Sequence, residues 1–368
     1  MAVYDIAIIG AGIAGASLAA ELVGRGDAGL RVLLLEAEDQ PGYHTTGRSA
    51  AFWSETYGGP GVVPLSIASG DYLREHGFLR QRGALHMVRD GEEAELARFV
   101  SLYADTGAKL VPIDRTQMAA KIPGLRPAWT GAVHEPECSD IDVAGLHQHY
   151  LGLAARGGAS LICRARLAAC QRAGEGWKLV CEDGRQFEAG MLVNAAGAWA
   201  DGIASLAGAQ PLGITPYRRT VVQLALSAPP PADLPLVLDI AGTFYFKPEN
   251  GRLWLSPHDE VADIPGDAAA DELAVAEAID RFEKVVDWQV ERVERRWAGL
   301  RSFAPDRLPV YGFDPDCEGF FWCAAQGGFG IQTAPAAARM AAQIITDSDA
   351  DAVTSSLDPA RYAPSRFN

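Results

Sequence analysis

The feature that most constrains the fold is a glycine-rich turn near the start of the sequence. The stretch AIIGAGIAGASLAAEL carries Gly10, Gly12 and Gly15 at the spacing G-x-G-x-x-G. An apolar run, VYDIAII (3–9), precedes the turn, and an Ala- and Leu-rich segment (14–25) follows it. This order predicts a buried strand, a tight loop and a helix, which is the unit in which such glycines bind a dinucleotide.

Each glycine of the turn has its own physical reason. Gly10 allows a sharp turn, Gly12 lets backbone approach a pyrophosphate, and Gly15 lets the helix press on the strand. A second apolar run, RVLLLEAE, contains Glu36, whose carboxylate can accept both hydroxyls of an adenosine ribose. The turn is therefore predicted to bind an adenine dinucleotide, and a purely structural turn is the alternative.

Composition narrows the class of protein. With 368 residues, the chain has room for two domains or one large α/β unit. A net charge of −15 argues against binding to nucleic acid or to anionic membranes. The six cysteines form no C-x-x-C pair, so we expect no disulfide framework and no metal site. We also expect no signal peptide, no transmembrane segment and a cytoplasmic location.

The pattern further along the chain favours FAD over NAD. A strand expected at 187–194 runs into Ala196 and Gly197, and a strand at 319–325 runs into the glycine loop QGGFG before a helix at 333–346. Such segments bring distant parts of the chain close to one dinucleotide. A simple NAD half-domain would instead continue into a further strand–helix repeat after Glu36.

We expect an α/β fold, in which a Rossmann-like FAD-binding domain is interrupted by a mixed-sheet substrate domain. The FAD-binding domain is assigned to 1–80, 140–215 and 295–368, and the substrate domain to 81–139 and 216–294. Further strands are expected at 83–90, 159–171, 177–182, 243–247 and 252–256, and further helices at 92–107, 143–156 and 270–286.

Six motifs in the same order resemble the D-amino-acid-oxidase-like flavoproteins, and among these the bacterial FAD-dependent D-arginine and D-amino acid dehydrogenases. They are DIAIIGAGIAGAS, PGYHTTGRSAA, LVNAAGAWAD, FYFKPENG, WAGLRSF and AAQGGFGIQTAPA. The resemblance implies that a hydride passes from the substrate α-carbon to flavin N5, and that the imino acid then hydrolyses to a 2-oxo acid and ammonia. FAD would be bound non-covalently, and Cys323 is expected in the core.

The resemblance implies that Arg301 and Tyr245 bind the substrate carboxylate and that Arg219 reaches the substrate. An Arg fork offers two parallel hydrogen bonds to a carboxylate, which is the chemistry that an amino acid substrate requires. The expected substrate pocket is completed by Tyr57, Phe52, His86 and Gly328. The helix after QGGFG would place its positive end toward the flavin pyrimidine.

The expected cofactor-binding residues extend beyond the first turn. The full set is Gly10, Gly12, Ala14, Gly15, Glu36, Ala37, His44, Thr45, Arg48, Ser49, Ala50, Ala196, Gly197, Gly327, Gly328, Gly330, Ile331 and Gln332.

Two positions depart from the D-arginine dehydrogenase pattern. His86 stands where those enzymes carry a glutamate, and Phe52 stands where they carry a histidine. We therefore expect a less negative pocket that prefers neutral or apolar D-amino acids, unless His86 instead attracts an acidic side chain.

Other functions remain open at this stage. One is a 2-hydroxy acid dehydrogenase that resembles L-2-hydroxyglutarate enzymes, since the same carboxylate clamp would serve it. Others are a flavin-free dinucleotide-binding or sensor protein and a nicotinamide-dependent dehydrogenase. Oxygen, a quinone or a carrier protein are equally compatible electron acceptors.

Overall fold

In the computed structural model of the chain, residues 3–24 and 29–367 are described. Their strands, β1 to β20 in chain order, are Val3–Ile9, Val32–Leu35, Phe52–Trp53, Leu79–Gln81, Ala84–Arg89, Val111–Asp114, Trp129–Glu135, Ser139–Ile141, Ser160–Ile162, Leu167–Ala173, Gly176–Cys181, Gln186–Asn194, Thr215–Leu226, Leu236–Asp239, Tyr245–Glu249, Arg252–Ser256, Val261–Ala262, Val290–Phe303, Val310–Phe313 and Phe320–Ala324. Their helices, α1 to α8, are Ile13–Gly24, Val63–Glu75, Glu93–Tyr103, Arg115–Lys121, Val143–Arg156, Ala200–Ala207, Glu272–Glu283 and Gly330–Thr346.

The first sheet is built around β1. This strand lies between β2 and β12 and is parallel to both, as expected of a dinucleotide-binding sheet. The order continues to β9 beyond β2 and to β11 and β10 beyond β12, while β20 pairs in parallel with the end of β12. Helix α1 packs against α5 and α8 over one face of this sheet, and α6 packs on the other face, so β1 and β2 are apolar on both faces.

The second sheet contains both parallel and antiparallel strand pairs and is built from other segments of the chain. Its order is β17-β13-β16-β15-β14-β5-β7-β6. Strand β18 pairs antiparallel with β13, so that Thr215 lies opposite Phe303 at one end and Leu226 lies opposite Val290 at the other. Helix α7 packs against this sheet through Val275, Ala278 and Phe282. A small third sheet, β3-β8-β4, carries the segment that leads to Tyr57.

Several predicted elements differ from the structure. The strand expected at 159–171 is two strands, because the chain turns at Arg164 (φ 52°) and β9 and β10 lie at opposite edges of the sheet. The last helix begins at Gly330 rather than at 333. Strand β18 pairs with β13 on both sides of residue 295, and the domain boundaries given above stay a prediction.

The described residues were searched for membrane-spanning helices, metal-binding clusters and disulfides. Residues 3–24 and 29–367 contain no helix with the length and apolar content needed to cross a bilayer. Within the same ranges no cluster of three or more His, Cys, Asp or Glu side chains could hold a metal ion. The six cysteines are free thiols, and Cys323 is buried in the core as predicted.

Candidate active site

The glycine turn has the geometry that its spacing predicts. Gly10 has φ +100°, and a Cβ there would lie 2.5 Å from the carbonyl oxygen of Ala195. A Cβ on Gly15 would lie 1.9 Å from the carbonyl oxygen of Gly10, so only glycine lets α1 pack this closely on the turn. The Ile13 N–H, in the first turn of α1, donates to Thr46 Oγ1 (3.0 Å). The turn is thus a narrow cradle that side chains would fill.

Glu36 lies just after β2, at the carboxyl end of the sheet. It is 9% exposed, and its Oε2 accepts from the Ala11 N–H (3.0 Å) while its Oε1 accepts from the Glu38 N–H (3.0 Å). These bonds hold the carboxylate at the rim of the glycine turn. Its position suits the ribose of an adenine nucleotide, as the sequence predicts.

A cleft of roughly 1520 Å³, part of it open to solvent, runs from this turn toward the second sheet. Most of the expected cofactor-binding residues line it. They are Gly10, Gly12, Ala14, Glu36, Ala37, His44, Thr45, Ser49, Ala196, Gly197, Gly327, Gly328, Gly330 and Ile331.

His44 is the ionisable side chain most directly placed for a ligand in this cleft. Its Nε2 pairs with Glu38 Oε1 (3.0 Å), and its ring lies against that of Trp199 (4.7 Å between centroids). Its Nδ1 is buried and has no hydrogen-bond partner among the described residues. Because buried polar atoms are normally paired, this nitrogen fits a polar group of a bound cofactor.

Four expected cofactor residues, Gly15, Arg48, Ala50 and Gln332, lie outside the lining of the cleft, and Gly15 instead packs α1 against the Gly10 carbonyl. Arg48 forms an ion pair with Asp267 and donates to two backbone carbonyls, so its guanidinium is already paired. Ala50 is buried in an apolar cluster with Tyr245. Gln332 faces away from the cleft because it follows Ile331 by one residue, about 100° around α8.

The turn before α8 approaches the substrate side of the cleft. Gly327 has φ +52°, and a Cβ there would lie 2.2 Å from the ring of Phe303. A Cβ on Gly328 would lie 2.1 Å from the hydroxyl oxygen of Tyr57. The glycines therefore let this backbone, and the N-terminus of α8, come close to Tyr57 and to the cleft.

Arg301 lies on β18 at the inner end of the cleft. Arg301 is 5% exposed. Among the described residues its guanidinium donates only to the carbonyls of Leu300 (3.3 Å) and Arg48 (3.4 Å). Among the described residues no carboxylate forms an ion pair with it. Burial lowers the pKa of Arg301, and the like charge of Arg219 lowers it further. A buried cation without a counter-charge is costly, so the position suits an anionic ligand.

Arg219 and Tyr245 lie close enough to Arg301 to affect its charge. Arg219 is 2% exposed and pairs through Nη2 with Glu260 (2.8 Å), while its buried Nη1 has no partner in the described ranges. Tyr245 is buried, and burial raises its pKa, so the phenol remains a hydrogen-bond donor at neutral pH. Two guanidinium groups and one phenol thus lie close to one another, and Arg301 among them lines the cleft.

Aromatic rings form one wall of this region. The ring of Phe52 lies 5.2 Å from that of Tyr57 and 5.6 Å from that of Tyr245, between centroids. Tyr57 also contacts Phe329 (6.4 Å). This wall offers apolar area to a substrate side chain.

His86 pairs with a carboxylate of the protein itself. Its Nε2 pairs with Glu135 Oε2 (3.0 Å), and its ring packs on Phe99 (4.6 Å between centroids). One ring nitrogen is therefore committed to a buried carboxylate of the protein. An acid is present near this site after all, but its oxygens are occupied by hydrogen bonds.

Sequence inspection missed three residues of this site. Thr46 binds the N-terminus of α1, and its position in HTTGR next to Thr45 was a usable signal. Glu260 pairs with Arg219, and Glu135 pairs with His86. Nothing in the local sequence of either glutamate indicates its partner, because each pairing depends on how the strands are arranged.

Comparisons with known proteins agree with this architecture. The model of the family described as DAO, FAD dependent oxidoreductase, matches residues 5–344. The glycine oxidase structure from Geobacillus kaustophilus superposes with a TM-score of 0.85 at 23% identity, covering 100% of this chain and 99% of that one. The L-proline dehydrogenase structure from P. horikoshii gives 0.86 at 23% identity, covering 100% and 98%. L-2-hydroxyglutarate dehydrogenase from Salmonella houtenae is 28% identical over 60% of this chain and 54% of its own length.

These findings confirm the predicted fold class and identify FAD as the cofactor. The residues present fit it, since the glycine cradle, the Glu36 carboxylate and the unpaired His44 Nδ1 lie along one cleft. The hypotheses of a flavin-free protein and of a nicotinamide cofactor are therefore wrong.

Proposed function

We propose that this chain, which belongs to the DAO family of FAD dependent oxidoreductases, catalyses the oxidation of a D-α-amino acid with a neutral or apolar side chain. The products are a 2-oxo acid and ammonia. The observation that carries the proposal is the buried guanidinium of Arg301, which has no carboxylate partner in the described part of the chain. A substrate carboxylate supplies that missing charge.

The side chains around Arg301 bind and orient the substrate. Arg301 donates to the carboxylate, Arg219 Nη1 has no partner among the described residues and donates to the same group, and the protonated Tyr245 phenol is a further donor. Charge-assisted bonds from Arg are short and directional, so they fix the substrate α-carbon in the cleft. FAD, when bound in the cleft, would supply the hydride acceptor, and the protein's part is placement and charge.

The remaining side chains select the substrate side chain. The rings of Phe52, Tyr57 and Tyr245 offer apolar area to this side chain. Both acids near Arg219 are paired: Asp259 accepts from Thr220, and Glu260 binds Arg219 and Arg307. His86 is engaged with Glu135. No free carboxylate among the described residues of this region thus attracts a cationic substrate, which supports a preference for neutral amino acids.

Protons need no dedicated base in this scheme. A neutral substrate amine loses one hydride from carbon and one proton from nitrogen to give the imino acid. Water then adds to the imine and ammonia leaves, which gives the 2-oxo acid. The hydrolysis requires no nucleophile from the protein. The nearby His258 has its pKa lowered to about 4 by burial, so it is neutral at physiological pH and adds no charge to the pocket.

A second candidate function is the oxidation of a 2-hydroxy acid. The similarity to L-2-hydroxyglutarate dehydrogenase favours it, and the same Arg301 site would bind the carboxylate of such a substrate. Measuring kcat/KM over a panel of D-amino acids, L-amino acids and 2-hydroxy acids, with ammonia and 2-oxo acid as products, separates the two. We expect the highest kcat/KM with a neutral or apolar D-amino acid. A best substrate that is a hydroxy acid, an L-amino acid or D-arginine would refute the proposal.

A further inference from the structure

The segment Ser54–Tyr57, which we call the clamped segment, is held by buried side chains from distant parts of the chain. It follows β3 and ends at Tyr57, one of the aromatic residues of the proposed substrate site. Glu135, at the end of β7, is fully buried, and Gln332, in the first turn of α8, is 2% exposed. Both lie against the clamped segment.

Glu135 uses both carboxylate oxygens for this contact. Oε1 accepts from the N–H groups of Glu55 (2.6 Å) and Thr56 (3.3 Å). Oε2 accepts from the hydroxyls of Thr56 (2.7 Å) and Ser54 (3.1 Å) and from Nε2 of His86 (3.0 Å). The carboxylate therefore has enough donors to remain charged in a dry environment.

Electrostatics agree with a charged Glu135. Burial raises the pKa of its carboxyl, but the hydrogen bonds from His86, Thr56 and Ser54 outweigh burial, and the pKa lies below its ordinary value. The Glu55 carboxyl, in the same segment, has its pKa raised by burial. Of the two carboxyls, Glu135 is thus the one whose charged form the surroundings favour.

Gln332 holds the segment from the other side. Its amide oxygen accepts from the Ser54 N–H (3.2 Å), and its Nε2 donates to the carbonyls of Ser54 (3.0 Å) and Tyr57 (3.2 Å). The Tyr103 hydroxyl donates to the Thr56 carbonyl (2.9 Å). Four consecutive residues are therefore tied through their backbone to side chains of the surrounding fold.

The clamp determines where Tyr57 stands. The Tyr57 carbonyl is bound to Gln332, and its hydroxyl lies against Gly328 of the turn before α8. Its ring lies 5.2 Å from that of Phe52, which precedes the clamped segment. A shift of the segment would move Tyr57 away from Gly328 and open the aromatic wall.

We propose that Glu135, oriented by His86, is a positioning residue that fixes the clamped segment and so places Tyr57 against the substrate. The inference rests on the proposed function, because it takes the substrate to lie against Tyr57. It assigns His86 to the support of this carboxylate instead of to substrate selection. Neither residue touches the substrate, so their effect is exerted through Tyr57.

The test compares Glu135→Gln and Thr56→Val with a matched control, Glu137→Gln. Glu137 lies two residues away, is paired with Arg74 and Lys109, and in the described part of the chain forms no hydrogen bond to residues 54–57. Thr56→Val removes one bond to Glu135 Oε2 and leaves the carboxylate in place. Thr56→Val is the test variant to use if Glu135→Gln does not fold. Two quantities are measured on the FAD-loaded proteins: hydrogen exchange of the peptide over residues 52–58, and KM and kcat for the best amino acid substrate.

We expect exchange at 52–58 to accelerate about tenfold in Glu135→Gln, because charge-assisted bonds to two N–H groups are weakened. We expect KM to rise about tenfold while kcat changes by less than about twofold, since Tyr57 contributes ground-state binding. Thr56→Val should shift both quantities in the same direction by a smaller factor, and Glu137→Gln should match the wild type.

Unchanged exchange at 52–58 in Glu135→Gln and Thr56→Val would overturn the positioning role. So would a loss of thermal stability with unchanged KM in the FAD-loaded fraction, because a merely structural residue would behave in that way. If the wild-type protein oxidises no amino acid, the proposed function fails, and the exchange experiment alone decides whether Glu135 positions the segment.

Discussion

Replacing Arg301 with methionine tests its role in substrate binding separately from its effect on the stability of the fold. Arg301 is 5% exposed, and its hydrogen bonds to carbonyls, at 3.3 and 3.4 Å, are at the long end of the range. Two charge-assisted bonds to a carboxylate are worth about 1.5–3 kcal/mol each, so their loss amounts to about 3–6 kcal/mol. At about 1.4 kcal/mol per factor of ten, kcat/KM should fall by roughly 10² to 10⁴.

The fold should not suffer from the same change. Methionine fills similar space, and removal of the guanidinium leaves no described carboxylate unpaired. The free energy of unfolding should therefore stay equal or rise. The control is Arg296→Met on the same strand, where the side chain is half exposed and pairs with Glu272. Surface pairs contribute at most about 1 kcal/mol, so this variant should keep its activity.

The assay measures kcat/KM per bound FAD and urea unfolding of the FAD-loaded protein, for both variants. A fall in kcat/KM of less than about fivefold in Arg301→Met would refute the carboxylate role, given the bond energies above. An equal fall in Arg296→Met, or a loss of stability above about 2 kcal/mol in Arg301→Met, would also contradict the reasoning.

Three further predictions test other parts of the account. Tyr245→Phe should lower kcat/KM about tenfold through loss of one hydrogen bond, and the ratio to wild type should stay constant from pH 7 to about 9, because burial raises the phenol pKa; a ratio that changes across that range would contradict it. Gly15→Ala should yield protein without the visible FAD spectrum, since its Cβ would lie 1.9 Å from the Gly10 carbonyl oxygen, and normal FAD content would refute the close approach. Burial raises the pKa of Asp140, but Arg82 and Lys247 lower it to about 2 from 3.8, so the carboxylate stabilises the fold above pH 3.8 and this contribution disappears as the pH falls toward 2. Asp140→Asn should therefore cost about 2.5 kcal/mol in urea unfolding at pH 7 and much less near pH 2, and an equal cost at both would contradict it.

The sequence predicts best where a local pattern and the fold agree. The glycine turn, β1 and α5 are recognisable because apolar periodicity and glycine spacing are satisfied within about twenty residues. The helix α5 spans Val143–Arg156, the range expected from its pattern. Glu36 also lies where its distance from the turn predicts.

Elements that depend on tertiary pairing were not predictable in the same way. Helix α2, VPLSIASGDYLRE, has a proline in its first turn and Gly70 within it, so its sequence is a weak helix signal. It forms against α8, where the Ser69 hydroxyl accepts from the Ala336 N–H. The first half of β18, VERVERR, alternates charges at an exposed edge, and its strand state follows from pairing with β13.

The candidate site divides along the same line. Some positions, such as Gly10 and Gly328, contribute through a close approach of the backbone. Their roles can be predicted from the sequence, because the approach requires glycine. Side chains whose role depends on a partner far along the chain cannot be predicted in this way, and Gln332 and Glu135 are examples. Gln332 looked like a cofactor residue because it adjoins the glycine turn, yet it binds residues 54–57, more than 270 positions away.

The most direct test of the central claim is an anaerobic titration of the purified, FAD-loaded protein followed by visible absorption. Neutral D-amino acids, L-amino acids and 2-hydroxy acids are added in turn to the wild type and to Arg301→Met. The account predicts that neutral D-amino acids bleach the flavin band of the wild type and that Arg301→Met requires at least about a hundredfold more substrate or bleaches at least about a hundredfold more slowly. Bleaching by hydroxy acids alone, or equal bleaching of the two proteins, would contradict it.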